Sequence, residues 1–233
     1  MIEKMPIVLI PGLASSLRSH VPILAALWRH GSVMVANQTQ DDSIAAMAAR
    51  VLREAPPTFA LIGHSLGGYI ALEIMRQAPH RVTRLALMNT QARTDPPEVT
   101  ERRKAQLAAS ASGDFMEAMN AFFALLVHPS RSDDPELREE LRLACLDVGA
   151  EAFRRQQLAI MGRIDSRPHL PKIAVPTLVL SSDEDQLISN KFSREMADLI
   201  PKATLVIVPC CGHMAPLEQP EEVIAALDDW FAA

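Results

Sequence analysis

The sequence predicts an α/β fold, a mostly parallel sheet of about six strands flanked by helices, with a helical insertion in its second third. Three observations lead there. Short runs of β-branched and aliphatic residues alternate with longer helical patterns over the first 90 residues and again after 172, the order that a parallel sheet covered on both faces requires. Between about Thr90 and Pro171 the alternation stops, and helix follows helix with no convincing strand. Finally, 233 residues, 48% of them hydrophobic and 22% charged, are enough to bury a substantial core and argue against disorder. We therefore expect a core formed by residues 1–90 and 172–233, with residues 91–171 as an insertion, rather than two independent domains.

The strand candidates in order are Ile7–Ile10, Val33–Ala36, Phe59–Gly63, Leu85–Asn89, Thr177–Ser181 and Thr204–Val208. Each is short, rich in Val, Ile and Leu, and bounded by turn residues. Helices are expected at Val21–Trp28, at Ser43–Arg53 with Asp41, Asp42 or Ser43 as cap, and at Leu66–Gln77 before Pro79. Later helices fall at Phe192–Leu199 and at Glu221–Phe231, the second opening after Pro220 with two glutamates at its positive end. Within the insertion, helices are expected at Glu98–Ser110, Asp114–Val127, Pro135–Leu146 and Glu151–Gly162, with breaks at Gly113, His128-Pro129 and Gly149.

Composition excludes several function classes. A formal charge of −5 with scattered Lys and Arg offers no basic surface for nucleic acid. No apolar run approaches the roughly 20 residues that span a bilayer, and the amino-terminal residues carry no secretory pattern. Cys145, Cys210 and Cys211 form no metal pattern, and an odd count fits a reduced, cytoplasmic protein. They are read as small buried apolar residues in preference to a vicinal disulfide at 210–211. The histidines His20, His30, His80, His128 and His169 share no ligand-like spacing, so no metal is assigned. His20 is read as a surface or core residue rather than a border of the pocket.

The chemistry gathers where strands end. Phe59 to Tyr69 reads strand, tight turn, helix, with Gly63 and Gly67 flanking Ser65 where larger side chains would collide. Ser65 is thereby presented at a helix start, and the Leu66 N–H is placed to donate to a developing oxyanion. A serine hydroxyl needs a base to remove its proton. His64, next to it at a strained turn, points elsewhere and is expected to pack or hydrogen-bond behind the nucleophile. His213, on a Gly-bearing loop after the last strand, is the better base, because the carboxyl ends of parallel strands converge. A carboxylate must then hold the imidazole. Asp183, Glu184 and Asp185 compete for that role after the preceding strand. Asp185, four residues past the strand end, is the first choice and Asp183 the second. The first strand runs into Ile10-Pro11-Gly12-Leu13, a turn that can aim the Leu13 N–H into the same cleft as a second oxyanion donor.

These motifs, in this order along the chain, resemble those of the α/β-hydrolase superfamily over essentially its whole length. Ile-Pro-Gly-Leu at 10–13 is similar to the oxyanion turn, with Pro-Gly where His-Gly is commoner, and Gly-His-Ser-Leu-Gly-Gly at 63–68 to the nucleophile elbow. Ser-x-x-Asp at 182–185 resembles the acid loop usually written Gly-x-x-Asp, which favours Asp185, and residues 212–221 resemble the histidine loop. The stretch Arg163 to Pro168 resembles that of small bacterial carboxylesterase-like members. The two antiparallel strands that usually open the fold have no counterpart here, and the insertion takes the position of the family's cap.

The resemblance implies hydrolysis of a small carboxylic ester by a Ser65/Asp185/His213 triad without a cofactor. The same triad could instead cleave a C–C bond or form a peracid, and a non-catalytic ligand-binding protein on the scaffold is the reading from another class. Met116, Met119, Phe122, Phe123 and Leu126 fall at helical spacing in the insertion, and some should face the cleft. An apolar, uncharged roof of this kind suggests short or medium acyl groups or aromatic esters. Nothing in the sequence bears on the oligomeric state.

Overall fold

The computed structural model describes residues 4–112 and 115–233. Six strands, β1 (Ile7–Ile10), β2 (Val33–Val35), β3 (Phe59–His64), β4 (Val82–Met88), β5 (Thr177–Ser182) and β6 (Ala203–Val208), form one sheet in the order β2-β1-β3-β4-β5-β6. Every pair is parallel. The register aligns the carboxyl ends of the central strands, with Ile10 opposite Gly63, His64 opposite Met88 and Met88 opposite Leu180. β4 starts three residues before its expected position because Val82 pairs with Phe59 ahead of a register shift in β3. It ends at Met88, and Asn89 turns out of the sheet at φ 45°.

Because strand side chains alternate between faces, the sheet carries two cores. Val8, Ile10, Leu61, Leu85, Leu87 and Val179 face α2 (Ile44–Glu54), α3 (Leu66–Gln77) and α7 (Asn190–Leu199). Ile7, Leu9, Ala60, Ile62, Ala86 and Leu178 face α1 (Val21–His30) and α9 (Pro220–Ala232). Ser43 caps α2, its hydroxyl accepting the Ala46 N–H. Gly67 lets α3 lie against β1, since a Cβ there would collide with the Ile10 carbonyl.

Residues 97–161 hold α4 (Pro97–Ser112), α5 (Phe115–Phe123) and α6 (Pro135–Met161). The expected break at Gly113 and helix start at Asp114 lie outside the described residues. α5 stops four residues short of Val127, where Leu125 and Leu126 donate three residues back to Phe122 and Phe123 in a tight turn. The two helices expected on either side of Gly149 run on as α6, kinked where Gly149 takes φ 76° and ψ 165°. α5 and α6 share an apolar cluster that includes Met119, Phe123, Leu137, Leu141 and Phe153, together with Ala14 and Met214 from below. Ala159 and Ile160, near the end of α6, belong instead to the core beside α3. A short helix, α8 (Ala215–Glu218), precedes α9. All three cysteines are free. Cys145 and Cys211 are buried as expected, but Cys210 is exposed because it sits at the tip of a turn with φ 50°.

Candidate active site

Ser65 joins β3 to α3 with φ 55° and ψ −114°, a backbone conformation that costs a non-glycine residue of order 1–3 kcal/mol. Neighbouring bonds hold it there: the Ser65 N–H donates to the Met88 carbonyl (2.9 Å), and the Thr90 hydroxyl donates to the Ser65 carbonyl (2.8 Å). The last residue of β4 and the second residue after it thus fix the turn that follows β3.

The structure brings together three residues singled out from sequence. His213 Nε2 lies 2.9 Å from Ser65 Oγ, and His213 Nδ1 lies 2.8 Å from Asp185 Oδ2. Asp185 Oδ1 accepts the N–H groups of Leu187 and Ile188, both at 2.9 Å, and Oδ2 also accepts the Asn89 amide at 3.1 Å. Burial pushes the Asp185 carboxyl up, but the charge and hydrogen bond of His213, with the Ile188 and Asn89 donors, outweigh it and hold the group below the usual carboxylate range. An ionised Asp185 keeps the proton of a neutral His213 on Nδ1, so that Nε2 faces Ser65 as an acceptor. Asp183 serves elsewhere: its carboxylate accepts the Cys210 and Cys211 N–H groups at 3.0 and 3.1 Å, bracing the loop that carries His213. Glu218 braces the same loop from the other side, accepting from Gly212 and Met214, and it also accepts the His128 N–H of the insertion.

His64 lies behind the nucleophile, as expected, with Nε2 donating to the His213 carbonyl at 3.0 Å. His20 is fully buried edge-on to His64, 5.2 Å between ring centres, and does not border the cavity. Burial pushes His20 down to about 4. Burial likewise holds His64 well below the usual histidine value, with His20 and His213 adding to the effect. Both rings are neutral at pH 7.

The turn after β1 presses on the elbow so closely that a Cβ on Gly12 would lie 3.2 Å from Ser65 Cβ. Among the described residues no protein group accepts the Leu13 N–H, and the Leu66 N–H, at the first position of α3, has no partner within the helix. Two buried glutamines that sequence reasoning did not single out hold this turn. Gln156, on α6, accepts the Ala14 N–H at 2.9 Å. Gln38 donates to the carbonyls of Ser15 (2.9 Å) and Gly12 (3.3 Å), and Gln156 Nε2 donates to the Gln38 carbonyl (3.3 Å).

A cavity of about 580 Å³ opens over Ser65, Leu13 and His213. Met119, Phe122, Phe123 and Leu126 line its roof, whereas Met116 packs into the insertion's apolar cluster. The roof is not uncharged throughout, because Arg102 and Arg103 of α4 also border the cavity. Among the described residues no group of His, Cys, Asp or Glu side chains is arranged to hold a metal ion, and no helix is long and apolar enough to cross a membrane.

Comparison with known proteins gives the same picture of the fold. A pimeloyl-[acyl-carrier protein] methyl ester esterase from Nitrosomonas europaea is 28% identical over 194 residues, 80% of this chain and 77% of that protein. One of the same name from Klebsiella pneumoniae is 29% identical over 217 residues, 90% and 81% of the two chains. A thermophilic esterase from Thermogutta terrifontis superimposes with a TM-score of 0.88 at 26% identity, over 98% of this chain and 89% of that one. The model of the alpha/beta hydrolase family matches residues 7–226, and the chain belongs to that family.

Proposed function

We propose that this carboxylic ester hydrolase cleaves a small ester through an acyl-Ser65 intermediate. The unbroken path of hydrogen bonds from Ser65 Oγ through His213 to Asp185, 2.9 and 2.8 Å long at the floor of the cavity, carries the reading. His213 Nε2 takes the hydroxyl proton as Ser65 Oγ attacks the carbonyl carbon. The Leu13 and Leu66 amides donate to the resulting oxyanion, each worth about 10² to 10³ in rate if it matches other such donors. His213 then gives its proton to the departing alkoxide. In the second half His213 takes a proton from water, whose oxygen attacks the acyl carbon, and returns that proton to Ser65 Oγ as the acid leaves.

Residues 91–171 act in this reading as a cap over a core of residues 1–90 and 172–233, sheltering the acyl group. A cavity of about 580 Å³ suits a short or medium acyl or aromatic ester. The chemistry calls on no cofactor, and the three free thiols fit a cytoplasmic setting. A fluorophosphonate probe should label the wild-type protein and leave Ser65→Ala unlabelled, with hydrolysis of p-nitrophenyl esters falling by at least about 10⁴-fold in that variant. Labelling that survives the substitution would refute the assignment.

A further inference from the structure

We infer that the same cavity contains a second site, away from the scissile carbonyl, for an anionic group such as a carboxylate or phosphate carried by the ester. This rests on the hydrolase reading, because the ester is what brings the anion. The cavity wall holds Arg93, Arg102, Arg103, Arg167 and Lys191 against a single carboxylate, Asp95. None of these cations comes from the elbow, the oxyanion turn or the histidine loop.

Most of them are already paired. Arg93 and Arg167 share Glu195, and Arg167 also holds Asp165. Arg103 shares Asp95 with the buried Arg163. Arg102 and Lys191 remain. Both are exposed, and among the described residues neither has a carboxylate within 4.0 Å, although Glu98 lies one helical turn before Arg102. They stand on separate elements, Arg102 on α4 and Lys191 in the first turn of α7, where the start of the helix adds partial positive charge. Lys191 Nζ is 4.9 Å from the centre of the Phe192 ring, and the Arg93 guanidinium is 5.6 Å from the same centre. This wall therefore carries cations in excess of acids in a protein whose overall formal charge is −5. A local field opposite in sign to the whole attracts an anion to this wall.

Matched ester pairs test the site. Monomethyl adipate is compared with methyl hexanoate to place the anion on the acyl side, and 4-acetoxybenzoate with phenyl acetate to place it on the alcohol side, with hydrolysis followed by pH-stat. In at least one pair the anionic ester should have the higher kcat/KM, by about 10-fold or more, and 0.5 M NaCl should erode that advantage. The double variant Arg102→Gln/Lys191→Gln should bring the ratio to about one. Turnover of neutral esters reports the hydrolase reading by itself, whereas the ratio reports the anion site. Should no ester be cleaved, adipate dianion alone decides, by raising the Tm of the wild type and not that of the double variant. Equal ratios in both pairs, a preference that survives in the double variant, or an adipate effect common to both proteins would overturn the inference.

Discussion

The floor and the roof of the cavity are held in place by different means. On the floor, Ser65, Asp185 and His213 each follow a strand, and the ladders that pair β3 with β4, β4 with β5 and β5 with β6 set their spacing through backbone hydrogen bonds. The roof is held by side chains: an apolar cluster shared by α5 and α6, and single polar ties such as Gln156 to the Ala14 N–H and Glu218 to the His128 N–H. Backbone pairing leaves little freedom, so the floor constrains the reaction. Side-chain packing can be exchanged piece by piece, so under the proposed function substrate choice falls to the roof.

Substitutions on either side can break that division. The largest effect belongs to the floor: Asp185→Asn should lower kcat by about 10³ to 10⁴-fold on p-nitrophenyl acetate, because the imidazole loses the partner that fixes its tautomer. Asp183→Asn, which disturbs only the brace at Cys210 and Cys211, should cost far less. The reverse ranking would exchange the two aspartates. Next comes the tie between the halves. Gln156→Ala removes the acceptor of the Ala14 N–H beside the oxyanion turn and should lower kcat by about 10 to 100-fold with KM little changed. Gln156→Glu keeps that acceptor and should recover most of the loss, whereas an effect confined to a rise in KM would make Gln156 part of the pocket only. The smallest effect is in the roof alone. Gly149→Ala meets no neighbour within 4 Å, so its cost is that of the backbone at φ 76° and ψ 165°, about 1–3 kcal/mol in urea denaturation. An unchanged midpoint would show that the kink can relax.

The same contrast explains what could be read from the sequence. All six strands were legible to within about three residues, since buried parallel strands announce themselves as short Val, Ile and Leu runs between turns. Ser65, Asp185 and His213 stood out because glycine-bearing turns and strand ends mark them. Asn89 carried a usable signal, a polar residue just past β4 between the two strands that supply Ser65 and Asp185, but its bond to Asp185 needed the positive φ that the sequence does not display. Gln38 and Gln156 carried none. Their partners lie up to 142 residues away, and a buried glutamine in a helix looks like any solvated one until the packing is known. Arg102 belongs to a charged run on α4 that reads as a wet helix face, and only the fold turns part of it toward the cavity.

Ser65 and His213, joined by one hydrogen bond, are separated by 148 residues. Between them lie three further strands of the sheet and the whole of the insertion, so that bond can form only after the chain has closed one of its longest loops. Parallel pairings of this kind are slow to nucleate, because the entropy of closure is spent before the contacts that offset it exist. Under the proposed function, competence for acylation is therefore expected late in refolding, once the sheet that carries Ser65 and His213 is complete.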